Sequence, residues 1–274
     1  MTAKFIKNLS MEDYQANTDH LSKTMLSVGS DCWAKFKYQF IDGNYETKDT
    51  KSLRVGSAVH TLALEPEKWH EEYFVLPEDY DGRTSAGKAL KADAEESGKS
   101  VLRYQDVQDV LGMADAIKKH PLALGLLDAA GHVESSIFWE QDGVKYKCRP
   151  DLMRNDGLIV DIKTCQTAHP KMFASDAYKF KYHVSVALTC RGYQALYGKM
   201  PEEYVFLCIE SKAPYIISCF TSFEATDFSA SVLEIGNIAL DKIIEQYKQN
   251  KANDVWPAYQ DLIQPLSLPA YAQV

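Results

Sequence analysis

The chain has 274 residues, and its 46% hydrophobic and 25% charged content suffices for a sizeable core and excludes wholesale disorder. We expect a cytoplasmic protein, because no apolar run approaches the roughly 20 residues of a membrane span and no secretion signal opens the sequence. Six scattered cysteines without a CxxC pair argue against a zinc or iron–sulfur site. The formal charge of −8 disfavours a broad exposed nucleic-acid surface, although a locally basic channel remains compatible with it.

Helical patterns dominate the first half of the chain. Residues 1–50 are predicted to be partly helical, and apolar residues at near-helical spacing predict a helix over 52–64. Proline and glycine residues predict a loop over 76–88. Further helical patterns follow over about 86–97 and 104–119.

Strand patterns begin in the middle of the chain. β-branched and aromatic residues predict strands over 133–139 and 144–153, joined by the tight-turn pair Asp142-Gly143. A second turn signal, Asn155-Asp156-Gly157, precedes a strand over 158–163. Three strands with two short turns predict an antiparallel meander.

The remaining elements complete a mixed α/β pattern. One long helix is predicted over about 170–197, then strands over 204–210 and 215–220, and a helix over about 225–249. This order predicts a mixed central sheet flanked by helices, with a helical N-terminal elaboration. We expect one domain over 1–274, with the elaboration on about 1–50, the core on about 52–250 and a C-terminal extension on 251–274.

Two aspartates and a lysine form the most informative motif. On a strand over 158–163, Asp161 and Lys163 share one face, and the turn before the strand should bring Asp151 beside Asp161. Two carboxylates beside a lysine suit magnesium-assisted phosphodiester hydrolysis, with the carbonyl of Ile162 as a further ligand and Lys163 stabilising negative charge. The competing interpretation pairs Asp151 with Arg149 and Asp161 with Lys163 as ordinary ion pairs.

Two other residues admit both a functional and a structural interpretation. His60 lies on the apolar helix predicted over 52–64, and it is either a metal ligand or phosphate contact, or a structural histidine. Glu134 lies on the strand predicted to neighbour Asp151, and it is either an active-site acid or a solvent-facing glutamate.

Basic and aromatic residues on and near the predicted long helix are candidate DNA contacts, since lysines neutralise phosphate and aromatic rings stack on unpaired bases. The alternative is a solvated lysine face over core aromatics. Ser22 and Lys23, near a helix start, are a further candidate phosphate contact. The other DNA-contact candidates are Lys171, Lys179, Lys181, Tyr182, Ser185 and, in a separate loop, Arg83.

Eight segments resemble the nuclease domain of the RecE-type exonucleases, members of the PD-(D/E)xK nuclease superfamily. The resemblance runs from about Met11 to Ala272 in matching order and spacing. The segments are GSAVHTLALEPE (56–67), RTSAGK (83–88), AGHVESSIFW (130–139), CRPD (148–151), VDIKT (160–164), KYHV (181–184), VWPA (255–258) and LSLP (266–269).

The resemblance implies a restriction-endonuclease-like core and an exonuclease that degrades one strand of linear duplex DNA from its 5′ end. The 3′ overhang that remains would serve a single-strand annealing partner in recombination of the phage or prophage type. Mg²⁺ is the expected cofactor, with Mn²⁺ as a substitute, and a ring of three or four subunits is expected. The implied metal-site residues are His60, Asp151, Asp161 and the Ile162 carbonyl, with Lys163 as catalytic lysine and Glu134 as an active-site acid.

The sequence departs from the family pattern in the helix after the DxK strand. Relatives carry a glutamine and, four residues on, a tyrosine, where this chain has Ser185 and Thr189. Residues at i and i+4 share a helix face, so we expect Ser185 and Thr189 to point at the site with a shorter reach. Another PD-(D/E)xK nuclease, such as a RecB-like enzyme or an endonuclease, and a catalytically impaired DNA-binding module remain alternatives.

Overall fold

The computed structural model describes residues 3–47, 49–227, 229–259, 263 and 265–267. The C-terminal extension is expected on 251–274. Most of its residues after Tyr259 lie outside the described ranges. The helices are α1 (Met11–Ala16), α2 (Lys23–Asp31), α3 (Trp33–Phe36), α4 (Lys51–Leu64), α5 (Trp69–Glu72), α6 (Ser85–Glu96), α7 (Tyr104–Lys119), α8 (Pro121–Leu127), α9 (Pro170–Lys179), α10 (Tyr182–Tyr197) and α11 (Val232–Asn253). The strands are β1 (Ala3–Ile6), β2 (Tyr73–Val75), β3 (Ser100–Leu102), β4 (Gly131–Val133), β5 (Ser136–Gln141), β6 (Val144–Cys148), β7 (Leu152–Arg154), β8 (Leu158–Cys165), β9 (Glu203–Glu210) and β10 (Ile217–Thr221).

The central sheet has five strands in the order β10-β9-β8-β7-β4. Its β8 and β9 strands run parallel, and its other neighbours pair antiparallel. A second sheet has the order β1-β5-β6, and β2 pairs with β3 in a small parallel ribbon. The predicted mixed sheet flanked by helices is therefore confirmed. Within the described ranges, none of the helices combines the length and apolarity that a membrane span needs.

Alternation along β8 separates two hydrophobic cores. Ile159 is fully buried in the larger core, which α2, α3, α10 and α11 share with the second sheet. Val160 and Ile162 point to the other side of the sheet, against Val59 of α4 and the helices α7 and α8. Because both faces of β8 are covered, the strand that carries the DxK motif is held at the centre of the molecule.

Aromatic rings join the two ends of the described chain. Trp256, which follows α11, stacks on Phe36 of α3 with ring centroids 5.5 Å apart and planes 13° apart. Trp33 and Tyr247 contribute further ring contacts to this cluster. The carbonyl of Pro257 accepts a hydrogen bond from the Ala34 amide at 3.1 Å. The N-terminal helices therefore pack against the segment that follows α11.

The predicted antiparallel meander is wrong as a single sheet. The strand expected over 144–153 is divided, because β6 ends at Cys148 in the second sheet and β7 begins at Leu152 in the central sheet. Pro150 lies in the break, and proline has no amide hydrogen to donate to a β-ladder. The strand expected over 133–139 divides similarly into β4 and β5.

The long helix expected over 170–197 is also divided. It forms α9 and α10, with Lys181 between them in a left-handed conformation at φ 56°. The helix expected over 225–249 begins later, at Val232, because Ser231 and Glu234 form a capping box that fixes its start. The strand β1, which pairs with β5, was not predicted.

Candidate active site

His60 reaches the site from α4. The helix begins after Thr50, whose side chain accepts a hydrogen bond from the Leu53 amide, and its Val59 face packs on the central sheet. This packing brings the His60 Nε2 atom to 3.0 Å from the carbonyl oxygen of Ile162. The opposite ring nitrogen, Nδ1, faces two carboxylates.

Glu134 is the first of these carboxylates. It lies between β4 and β5 in a left-handed conformation at φ 44°, and its amide donates a 2.9 Å hydrogen bond to the Asp151 carbonyl. One carboxylate oxygen lies 3.8 Å from His60 Nδ1, and the other accepts a 2.9 Å hydrogen bond from Arg149 Nε. A non-glycine residue held in this conformation costs free energy, and such residues concentrate at functional sites.

Asp151 is the second carboxylate, and it lies in the break between β6 and β7. In the pairing of β7 with β8, Leu152 is opposite Val160 and Met153 is opposite Ile159. The Ile162 amide therefore lies past the end of this ladder. Asp151 Oδ2 accepts that amide at 2.7 Å and lies 3.5 Å from His60 Nδ1. Because the strand is broken here, the Ile162 amide is bound by the Asp151 carboxylate and not by a backbone carbonyl of a continuous strand. This contact holds the carboxylate at the centre of the site.

His60, Glu134 and Asp151 together fit a divalent cation. Each offers one ligand atom, and these three atoms lie within 4.8 Å of one another. They line one wall of a cleft of about 870 Å³, whose other walls include Leu9 and Tyr14 of the N-terminal segment. Two carboxylate oxygens and an imidazole nitrogen are suitable ligands for Mg²⁺ or Mn²⁺. The Ile162 carbonyl, expected as a further ligand, lies 3.0 Å from the opposite ring nitrogen of His60, Nε2.

Asp161 and Lys163 form a second group next to this cluster. Asp161 is buried, and its two carboxylate oxygens accept from the Lys163 amine and from the Tyr204 hydroxyl of β9. The Lys163 amine also lies 5.3 Å from the centre of the Tyr182 ring. Both carboxylate oxygens of Asp161 are thus engaged, and its ligand atoms lie outside the cluster of three.

The charged side chains of the site shift one another's pKa values. Burial and the neighbouring Asp161 and Glu134 carboxylates raise the pKa of Asp151 to about 7, although His60 opposes this shift. Burial would lower the pKa of His60, but Asp151 and Glu134 outweigh it and raise the value to about 9. In the same way, Asp161 and Asp151 outweigh burial and hold the pKa of Lys163 above its ordinary value. Lys163 is therefore a cation at neutral pH.

Arg149 and Tyr204 were not predicted as site residues. Arg149 was expected, in the structural alternative, to pair with Asp151, but it pairs with Glu134 and also donates to the Leu9 carbonyl at 2.7 Å. Against burial, His60 and Arg149 together keep the pKa of Glu134 below its ordinary value. Arg149 directly precedes the Pro150-Asp151 pair, which is the sequence signal that could have identified it. Tyr204 had no such local signal, because the parallel pairing of β8 and β9 brings it to Asp161.

The candidate DNA contacts differ in their exposure and in whether their charge is already paired. Lys171 and Lys179 are exposed on α9, whereas the Lys181 amine binds Asp31 and Ser30 at 2.6 Å each. The Tyr182 ring centre lies 5.3 Å from the Lys163 amine and 5.8 Å from the Lys23 amine.

Three other predicted positions, Arg83, Ser185 and Thr189, do not line the described cleft. Arg83 is 92% exposed and forms an ion pair with Asp81 before α6, and it does not line the described cleft. Ser185 is partly buried on α10. Thr189, expected to point at the site, is instead buried beside the Cys148 thiol. That expectation is wrong for Thr189, because the inner face of α10 packs on β6.

The chain matches the family model described as PDDEXK-like domain of unknown function (DUF3799) over residues 22–267. No curated protein matches it. Among solved structures, a "Putative exonuclease" from Eubacterium rectale is 14% identical and aligns at a TM-score of 0.65 over 96% of this chain and 97% of its own. The protein SSO0001 aligns at 12% identity over 83% of this chain and 86% of its own, at a TM-score of 0.28 that carries no argument. The shared fold and the family match together establish that the chain belongs to the PDDEXK-like family, within the PD-(D/E)xK nuclease superfamily.

Proposed function

We propose that the protein is a Mg²⁺-dependent exonuclease that degrades one strand of linear double-stranded DNA. The observation that carries the proposal is the position of His60, Glu134 and Asp151 around one point, with the Asp161–Lys163 pair beside it. A bound divalent cation would activate water and offset charge on the phosphate oxygens. The family match supports nuclease chemistry as the use of this arrangement.

The residues of the chain supply orientation and a fixed positive charge. Lys163 is held as a cation by Asp161, so it can donate hydrogen bonds to a phosphate oxygen, and it is unsuited to act as a base. Tyr204 fixes the other oxygen of Asp161, which sets the direction of the Lys163 amine. Arg149 fixes Glu134 in the same manner. These three contacts would preorganise the site before a substrate arrives.

The proposal extends to polarity and assembly. We infer 5′→3′ degradation that leaves 3′ overhangs for recombination by strand annealing, and a ring of three or four subunits around the duplex. The family resemblance supports polarity and the annealing partner. The charge supports the ring, since a chain of formal charge −8 needs a basic surface only in the lumen. Light scattering of the purified protein would measure the subunit number, and a monomeric mass would contradict a ring.

The activity is tested with a linear duplex labelled at one 5′ end or one 3′ end, digested with and without Mg²⁺. We expect mononucleotides to appear first from the 5′ label, and only when Mg²⁺ is present. Asp161→Ala and Lys163→Ala should abolish degradation while the circular dichroism spectrum stays unchanged. Lys119→Ala, at an exposed ion pair on α7, is the matched control and should degrade normally. Unchanged degradation by Asp161→Ala would overturn the site assignment.

A covalently closed circular duplex separates this proposal from its alternatives. An exonuclease leaves the circle intact, whereas an endonuclease of the same superfamily linearises it. Binding of DNA without any hydrolysis under Mg²⁺ or Mn²⁺ would indicate an impaired DNA-binding module.

A further inference from the structure

Three aromatic rings lead from the protein surface to the candidate site at the corner between α9 and α10. We call them the aromatic row: Tyr178, Phe180 and Tyr182. Tyr178 is 73% exposed and Phe180 is 47% exposed, while Tyr182 is partly buried. The Phe180 and Tyr182 ring centres are 5.9 Å apart, and the Tyr182 ring lies 5.3 Å from the Lys163 amine. The row therefore ends beside the proposed catalytic lysine.

The corner between the helices explains why these rings are exposed and ordered. α9 ends at Lys179, and Lys181 reverses the chain in a left-handed conformation at φ 56°, which leaves Phe180 outside both helices. Tyr178 stacks on the His183 ring with centres 5.5 Å apart and planes 13° apart. One face of Tyr178 is thus supported, and the rest of the ring is open to solvent.

Positive charge lies beside the row. The Lys179 amine lies 5.3 Å from the Phe180 ring centre, and the Lys23 amine donates a 2.7 Å hydrogen bond to the Phe180 carbonyl. Residues 170–183 contain three lysines and a single acidic residue, Asp176, in a chain whose formal charge is −8. The Lys181 amine is paired with Asp31, so Lys171 and Lys179 are the exposed cations of this segment. This local excess of cations complements a phosphate backbone more closely than it complements an acidic protein surface.

We infer that the aromatic row binds unpaired bases of the strand that enters the candidate site, so that the substrate is locally single-stranded next to the bond to be cleaved. This inference rests on the proposed nuclease function. Duplex DNA hides the faces of its bases within the stack, whereas unpaired bases expose them to aromatic side chains. Supported rings among lysines, continuous with Lys163, match that ligand in both shape and charge.

Binding without hydrolysis tests the inference. Fluorescence anisotropy in EDTA would compare a labelled oligothymidylate with an abasic strand of the same length. We expect the intact protein to prefer the oligothymidylate. The double variant Tyr178→Ala and Phe180→Ala should bind it about tenfold more weakly, with abasic binding unchanged, because stacking needs a base and phosphate contact does not. Tyr178→Phe, which keeps the ring, should retain the preference.

Two further variants serve as controls. Tyr197→Ala removes a ring that is 45% exposed at the other end of α10, about 20 Å from Tyr182 along the helix, and should change neither affinity. Lys179→Ala should weaken binding of both strands equally, since it removes a phosphate contact.

The outcomes for the surface and for the nuclease activity are distinguishable. If the double variant keeps the preference for thymidylate while the intact protein degrades duplex DNA, the inference is overturned and the proposed function stands. If the preference is lost in the double variant but neither protein degrades DNA, the binding surface stands and the proposed function fails. A change in subunit number, with thymidylate binding intact, would identify the row as a contact between copies of the chain and would overturn the inference.

Discussion

The Tyr204 hydroxyl donates a hydrogen bond to the Asp161 carboxylate inside the protein. Tyr204 is on β9 and Asp161 is on β8, so the parallel pairing of these two strands sets the contact. The other Asp161 oxygen accepts from Lys163. A buried residue with no exposure to substrate therefore controls the orientation of the DxK pair.

Tyr204→Phe should weaken both the fold and the proposed activity. A hydrogen bond to a buried charged group contributes about 1.5–3 kcal/mol, so the free energy of unfolding should fall by that amount in urea. Loss of orientation should lower the cleavage rate up to about a hundredfold. Tyr193→Phe is the matched control, because Tyr193 is also buried and its hydroxyl makes no hydrogen bond to the described residues. Equal effects of the two substitutions would contradict the role given to Tyr204.

The metal-free protein should lose stability as the pH rises from about 4 to 8. Asp151 has a pKa of about 7 against an ordinary value of 3.8, so its contribution is complete below 3.8 and is lost as the pH rises through 7. His60 has a pKa of about 9 against 6.5, so its contribution is complete below 6.5 and is lost as the pH rises through 9. Both groups therefore act in the same direction. Burial lowers the pKa of Lys23 and of Lys147 to about 8, and these lysines act in the opposite direction above pH 8, so melting temperatures in EDTA are compared below pH 8.

Asp151→Asn should reduce the dependence of the melting temperature on pH. The amide keeps an oxygen to accept the Ile162 amide, but it removes the ionising group and the main cause of the raised His60 pKa. At pH 8 the variant should melt a few degrees above the unsubstituted protein, since about 1 kcal/mol moves the midpoint by ~2–4 °C at this size. Asp227→Asn, at an exposed position, should leave the curve unchanged. Parallel curves for the Asp151→Asn variant and the unsubstituted protein would refute the assignment.

Arg149→Lys should raise the concentration of metal that the enzyme needs. The guanidinium holds Glu134 with one nitrogen and the Leu9 carbonyl with another, and a lysine amine lacks this fork. Loss of a residue that orients a metal ligand typically weakens metal affinity about 10–100-fold. Titration of activity with Mg²⁺ should therefore shift to higher concentration and reach a similar maximum rate. An unchanged midpoint with a lower maximum would instead assign Arg149 to the chemical step.

Two glycine substitutions test the packing of the helices. A Cβ on Gly236 of α11 would lie 2.1 Å from the carbonyl oxygen of His183 on α10, so Gly236→Ala should destabilise the protein by about 1–3 kcal/mol. Gly125 on α8 has open space around an added Cβ, so Gly125→Ala should stabilise it by about 0.5–1 kcal/mol. Urea unfolding measures both, and effects of the same sign would contradict the close approach of α10 and α11.

The sequence predicts β8 and its two faces well, because alternating apolar residues and the turn before it leave little choice of register. The sequence does not predict that β6 and β7 belong to two different sheets. Pro150 between them is a signal for this break, because proline disfavours a continuous β-ladder. The break at Lys181 has no comparable signal, since neither proline nor glycine marks it. Short strands such as β1 depend on a partner, here β5, that local sequence does not specify.

The residues of the candidate site also differ in how well the sequence predicts their positions. Asp161 and Lys163 are two positions apart on one strand, so periodicity alone places them on one face. His60, Glu134 and Asp151 come from three separate segments, and their convergence depends on tertiary packing. The strand pattern predicted Glu134 beside Asp151, whereas the approach of His60 rested on the family resemblance. The left-handed conformation of Glu134 has no sequence signal, because it is imposed by the hydrogen bond to the Asp151 carbonyl.

The stacking of Trp256 on Phe36 has a consequence for biosynthesis. Since residues after α11 complete the aromatic cluster around α3, the N-terminal helices emerge from the ribosome long before their covering segment is made. Their apolar faces stay uncovered during nearly all of translation, an interval in which exposed hydrophobic surface favours aggregation or chaperone capture.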